Sequence, residues 1–208
     1  MTERLRAAAA ATGVVLLTGA WVVGGLATDG FDPVRQSISQ LQRDGTATGP
    51  VLTAAFIAFA GGSLLFVPVL DRRLGRAPAA LLGVAALATL GAALSPLGEV
   101  RGGLQDTVHL AFGSTGYASL SLLPLAGARC LRGRTRTASY TLGVIASGCL
   151  LGTVPAQAYS GALQRVGFGA GHAWLLGVCL GVLRGQVLLG QVKECSGPGK
   201  RPSRTSWT

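Results

Sequence analysis

The chain reads as an all-α integral membrane protein: a six-helix transmembrane bundle with a short amphipathic helix in the first outer loop. Three observations carry that class. Only 12% of the 208 residues are charged and 49% are apolar, where a soluble domain carries roughly a quarter charged residues. The Asp, Glu, Lys and Arg positions leave six long uncharged intervals, 7–28, 45–70, 77–98, 107–128, 137–164 and 166–183. Each holds the ~18–20 apolar residues that a helix needs to cross a hydrocarbon core about 30 Å thick. The cations, finally, fall unevenly on alternate sides of these intervals. An open sheet is excluded, because backbone groups in lipid need internal partners.

Taken in order, the expected spans are 7–27, 51–70, 78–97, 109–128, 138–157 and 166–185. Arg4 and Arg6 ahead of the first apolar run, with Gly25-Leu26-Ala27 at its end, have the elements of a cleavable secretory signal. The run is longer than a signal core, so a retained helix is expected. In the following loop Asp32 suits an N-cap and Pro33 the first helical position. Val34, Ile38 and Leu41 then recur at helical spacing, with Arg35 and Ser39 pointing away and Gly45 as a stop. Pro68, Pro124 and Pro155 fall toward span ends, where kinks are tolerated. Gly167 with Gly171, and Gly177, Gly181 and Gly185, place small residues four apart on the sixth span. That spacing suits close helix packing within the chain, or a homodimer through this face. Residues 1–190 form the membrane domain, and 191–208, rich in Gly, Pro and basic residues, read as a disordered basic cytoplasmic tail.

Fourteen of the eighteen cations lie on the side of the termini; only Arg35, Arg43, Arg101 and Arg165 lie on the other. The positive-inside rule therefore places both termini in the cytoplasm, as in a multi-pass protein of a bacterial plasma membrane. The net charge of +10 thus serves topology, and nucleic acid is not an expected partner. Sixteen Arg against two Lys, with abundant Ala and Gly, point to a GC-rich bacterial genome. None of the four cysteines, Cys130, Cys149, Cys179 and Cys195, falls in an outer loop, so no structural disulfide is expected. No Cys/His spacing of a zinc motif occurs.

The outer side carries five of the eight acids, Asp29, Asp32, Asp44, Glu99 and Asp106, and both histidines. Asp106 and His109 are three apart, hence on one helix face. Arg165 and His172 share a face of the sixth span, with His172 roughly 10 Å deeper. An ionisable group at that depth normally faces the bundle interior or a water-filled pocket.

The segment Gly30-Phe31-Asp32-Pro33-Val34-Arg35-Gln36-Ser37-Ile38-Ser39-Gln40-Leu41 resembles the opening signature of an uncharacterised bacterial family of six-helix membrane proteins, catalogued as domain of unknown function 998. Ser95-Pro96 followed by Asp106-Thr107-Val108-His109, and Gly161-Ala162-Leu163-Gln164-Arg165 before the last span, resemble its other two elements. Here Leu97 and Gly98 separate the proline from Glu99, where family members often place the acid directly. The resemblance covers nearly the whole chain except its tail. It implies a membrane fold and supplies no activity.

The reading that follows is a non-enzymatic membrane protein with an outward polar pocket built from Asp32, Arg35, Ser37, Ser39, Asp106, His109, Arg165 and His172. Its expected partners are the bilayer and a lipid headgroup or small ligand, and no cofactor is expected. Two other classes compete. In a membrane-embedded hydrolase, Asp106, His109 and His172 would hold zinc with an open position for water. In a transporter, His172 and Asp106 would couple flux to protons.

Overall fold

A computed structural model describes residues 1–98 and 102–185. The described residues form six long helices: α1 (Glu3–Ala27), α2 (Gly49–Leu74), α3 (Arg76–Leu94), α4 (Leu104–Ala128), α5 (Gly133–Gly152) and α6 (Ser160–Leu183). No strand occurs among them. The expected tail, 191–208, and Glu99 and Arg101 lie outside the described residues.

Local chemistry explains most of the helix ends. The Thr2 hydroxyl accepts from the Leu5 amide at 3.3 Å and caps α1. Gly75, at φ +87°, lets α2 turn directly into α3. α3 stops at Leu94, because Pro96 disfavours helix at the residue before it. The fifth helix departs most from expectation. It runs Gly133–Gly152 rather than 138–157, because Pro155 cannot continue a helix and the chain leaves it early. The helix instead begins among Arg134 and Arg136, whose long stems keep their charges at the periphery. α6 likewise starts at Ser160, so Gly161–Arg165 form its first turns.

Successive helices pack side by side, and α6 returns to α1. α6 also meets α4, so α1, α2, α3, α4 and α6 close a ring, with α5 lying outside against α4 and α6. α5 accordingly buries only Ser139, Gly143 and Ala146. Glycines set the tightest approaches. A Cβ on Gly13 would lie 2.8 Å from the Ala58 carbonyl oxygen, and one on Gly62 would collide with that of Ala9. Gly167 and Gly171 receive Tyr117 and Leu120 of α4, whereas Gly177 and Gly181 meet open space.

Among the described residues four segments are long and apolar enough to cross a membrane: α1, α2, α3 and Gln157–Leu183, with mean hydropathies of 1.8, 2.0, 1.9 and 1.7. α4 and α5 are more polar, yet the side chains sort the same way. Leu122, Val144 and Leu151 are exposed, while Ser119, Ser121 and Ser139 are buried. Arg4, Arg6, Arg72, Arg73, Arg76, Arg129, Arg132, Arg134, Arg136 and Arg184 gather at one end of the bundle. There Glu3 pairs with Arg72 at 3.1 Å and Arg73 at 2.6 Å.

Two expectations are corrected. The first loop holds no continuous amphipathic helix, but a turn over Pro33–Gln36 followed by a 3₁₀ turn, Ile38–Gln42. Ser37 is extended between them (ψ 158°), which rotates Val34 out to solvent while Ile38 and Leu41 stay buried. Cys130 is disulfide-bonded, whereas Cys149 and Cys179 are free. The expectation rested on the redox state of a compartment, while pairing depends on which thiols the fold brings within reach.

Candidate functional site

The end of the bundle opposite the arginine cluster is closed by a cap in which the first loop docks on α6. The Asp32 carboxylate accepts from the amides of Val34 (2.9 Å) and Arg35 (3.3 Å), and the Asp32 amide donates to Gln36 Oε1 (2.7 Å). This reciprocal pairing shapes the turn. The first turns of α6 then hold it. The Ala162 amide donates to the Val34 carbonyl (2.9 Å), and Gln164 Oε1 accepts from the Ile38 amide (2.7 Å). Arg165 Nη1 donates to the carbonyls of Pro33 (2.8 Å), Gln36 (2.7 Å) and its own helix at Gly161 (3.0 Å). Its guanidinium also lies over the rings of Phe31 and Trp21, 5.2 and 5.8 Å from their centroids. Gly161 must be glycine here, since a Cβ would strike the carbonyls of Gln36 and Pro33.

A second part of the cap is organised by Asp106, in the first turn of α4 ahead of its apolar stretch. Its carboxylate accepts from the amides of Gly98 (2.9 Å) and Gly102 (3.0 Å), and Arg43 lies 3.6 Å away. The Gly102 amide above all, then that of Gly98 and the Arg43 charge, hold this carboxyl below the usual aspartate range against the opposing effect of burial. Arg43 also donates to the Gly98 carbonyl.

Beneath the cap lies a cavity of about 220 Å³. Its walls are largely aromatic and aliphatic, with Trp21, Phe56, Phe112, Tyr117 and Phe168 prominent. Its polar lining is Ser, Thr, Gln and the two histidines, with no Asp, Glu, Lys or Arg among the described residues. His109 Nδ1 faces the carbonyls of Ser95 (2.8 Å) and Ala92 (3.2 Å). Carbonyls only accept, so Nδ1 carries a proton and donates it to them. His172 is 2% exposed, and its Nδ1 lies 3.0 Å from the Thr18 hydroxyl. The ring sits between Phe59 and Phe168, at centroid distances of 5.2 and 5.8 Å, and Nε2 is buried without a hydrogen-bond partner among the described residues. Such an orphaned polar atom calls for an explanation.

Of the eight residues singled out from the sequence, Ser37, Ser39, His109 and His172 border the cavity. Asp32, Arg35, Asp106 and Arg165 do not. Asp32, Asp106 and Arg165 hold the cap together, and Arg35 is an exposed partner of Asp32 at 3.6 Å. Asp106, His109 and His172, expected as the zinc set of a hydrolase, are not brought together. Among the described residues no three His, Cys, Asp or Glu side chains are placed to hold a metal ion. Asp106 is turned to loop amides and His172 to Thr18 on α1. Sequence reasoning missed the aromatic walls, which look like ordinary apolar span residues, and also Thr18. Gln164 stood inside a quoted motif without being assigned to the pocket.

The three quoted motifs thus meet at one end of the bundle, the first and third directly against each other. Nothing among curated proteins or solved structures matches the chain. The family model described as "Protein of unknown function (DUF998)" matches residues 10–181, so the chain belongs to that family.

Proposed function

We propose that this is a multi-pass protein of a bacterial plasma membrane, with six spans and cytoplasmic termini, that binds a small ligand or one end of a lipid beneath its outer cap and catalyses no reaction. Six spans are supported by the outward sorting of apolar side chains on α4 and α5, since buried serines and exposed leucines and valines suit lipid surroundings. The orientation is supported by the arginine cluster at one end. Tags at residues 1 and 208 should both report the cytoplasm; opposite sides, or an external pair, would overturn the topology.

One observation carries the binding reading: a cavity walled from several helices by aromatic and aliphatic side chains, with His109, His172 and a few hydroxyls among its lining. Pockets for drug-sized ligands have volumes of ~300–1,000 Å³, so about 220 Å³ suits a compact molecule or a single chain end. Arg165, the cation nearest in sequence to the cavity lining, gives its Nη1 to loop carbonyls and does not itself line the cavity, which favours an uncharged occupant over an anionic headgroup. Gly113 supplies the test, because it lines the cavity and a side chain added there meets open space. Mass analysis of extracts from purified protein should find a small organic molecule on the wild type and none on Gly113→Leu. Equal retention by both, or none on either, sinks the reading.

A further inference from the structure

The hydrogen bonds of the cavity lining sort its polar groups into those that still offer a proton and those that do not. The Thr89, Thr153 and Ser160 hydroxyls donate to the carbonyls of Ala85 (2.7 Å), Leu150 (2.6 Å) and Arg35 (3.1 Å). Each therefore has only lone pairs left to offer. Tyr117 likewise gives its hydroxyl proton to the Leu163 carbonyl at 3.3 Å. Under the cap the balance reverses. Gln164 Oε1 accepts from the Ile38 amide at 2.7 Å, which fixes the orientation of its side-chain amide. The protons on Gln164 Nε2 are left without an acceptor among the described residues, and, unlike His172 Nε2, this nitrogen is not buried out of reach. Ile38 sits between Ser37 and Ser39, whose hydroxyls lie 3.1 Å apart. A single hydrogen bond joins the pair, so one of its hydroxyl protons also remains unused. Both serines and Gln164 border the cavity, and the bond to Ile38 holds the Gln164 amide beside them.

Resting on the binding reading above, we infer that the ligand carries an uncharged carbonyl oxygen, that of a ketone, ester or amide, which docks under the cap on Gln164 Nε2 and the Ser37–Ser39 pair. A carbonyl oxygen brings two lone pairs and no proton, which matches two unused donor groups at one place. A carboxylate would accept from the same donors. The lining has no Lys or Arg among the described residues, however, and an unpaired charge is far costlier to bury than a neutral oxygen. Phe168, one turn deeper on α6 than Gln164, and Leu17 and Phe56 receive the apolar body.

Full-length protein in nanodiscs is dialysed against radiolabelled cyclohexanone, cyclohexane and cyclohexanecarboxylate, with empty nanodiscs as the blank. Cyclohexanone should bind saturably to the wild type and not to Gly113→Leu. Two variants remove the donors. Gln164→Glu keeps the oxygen that the Ile38 amide needs and loses the side-chain NH2. Ser37→Ala combined with Ser39→Ala removes hydroxyls that bond only each other among the described residues. Each variant should weaken cyclohexanone about five- to tenfold, the worth of one neutral hydrogen bond, and leave cyclohexane unchanged. The infrared carbonyl stretch of bound cyclohexanone should lie lower on the wild type than on either variant. Equal affinity and an equal stretch on wild type and variants overturn the role of these donors. Equal weakening of ketone and alkane assigns the loss to altered packing and overturns that role too. Saturable binding of the carboxylate in place of the ketone, lost in Gly113→Leu, overturns the ligand class and leaves the cavity reading standing. No saturable binding by any probe overturns this inference, while retention by mass analysis judges the cavity reading separately.

Discussion

Replacing Arg165 by Met keeps much of the side-chain length and removes the charge that ties the first loop to α6. Nη1 faces three carbonyls, those of Pro33, Gln36 and Gly161, but carries only two protons. Two hydrogen bonds' worth is therefore lost. At ~1.5–3 kcal/mol for a bond from a charged group, the loss is about 3–6 kcal/mol. Contact with the Phe31 and Trp21 rings adds ~0.5–1 kcal/mol at partly exposed sites. Water reaches the half-buried guanidinium and would satisfy some of the freed carbonyls, so the lower end, about 3 kcal/mol, is expected. Such a loss raises the opening equilibrium of the loop roughly a hundredfold. Hydrogen exchange at the Ile38 amide, whose partner is Gln164 next door, measures that opening directly. Arg165→Met should accelerate it by about two orders of magnitude, and Arg165→Lys, which retains a donor, by an intermediate amount. Exchange unchanged in Arg165→Met would refute the assignment of this arginine to the cap.

Three further outcomes follow from the same contacts. Gly161→Ala, which drives a Cβ into the carbonyls of Gln36 and Pro33, should cost ~1–3 kcal/mol in unfolding; Gly177→Ala, facing open space, should be neutral or stabilising by up to ~1 kcal/mol. Equal effects at the two sites would contradict the packing. Asp106 has its carboxyl held below the ordinary value of 3.8, so its stabilisation of the cap is present above that value and is lost as pH falls through the lower folded value. Exchange of the Gly98 and Gly102 amides should therefore quicken, relative to the intrinsic rate, only in that acid window, and in Asp106→Asn at every pH. Trp174→Phe removes the 2.7 Å bond from Nε1 to the Ser139 hydroxyl, which is buried, and should cost ~1–3 kcal/mol by denaturant titration.

The number of long helices, their approximate centres, the turn at Asp32-Pro33 and the gathering of arginines at one end are all legible in the amino-acid order. Each depends on chemistry that acts within a few residues: apolar run length, capping, the ring of proline, and the exclusion of charge from apolar runs. Pro155 shows the limit even there, because its effect on the end of α5 shifts the entire helix. The sequence also pointed to one end of the molecule, where all three motifs that carry the family resemblance lie. It did not say what their residues do. Arg165 reads as part of the outward pocket and is a clasp for the first loop; Asp106 reads as a candidate metal ligand and is a loop anchor. His172 meets Thr18 across 154 positions, and the cavity takes its walls from helices whose apolar residues look alike in sequence. Local composition sets which segments become helices because propensity and hydropathy add along the chain. Which polar groups meet, and which buried nitrogen is left without a partner, depends on how six helices pack and where α5 stops.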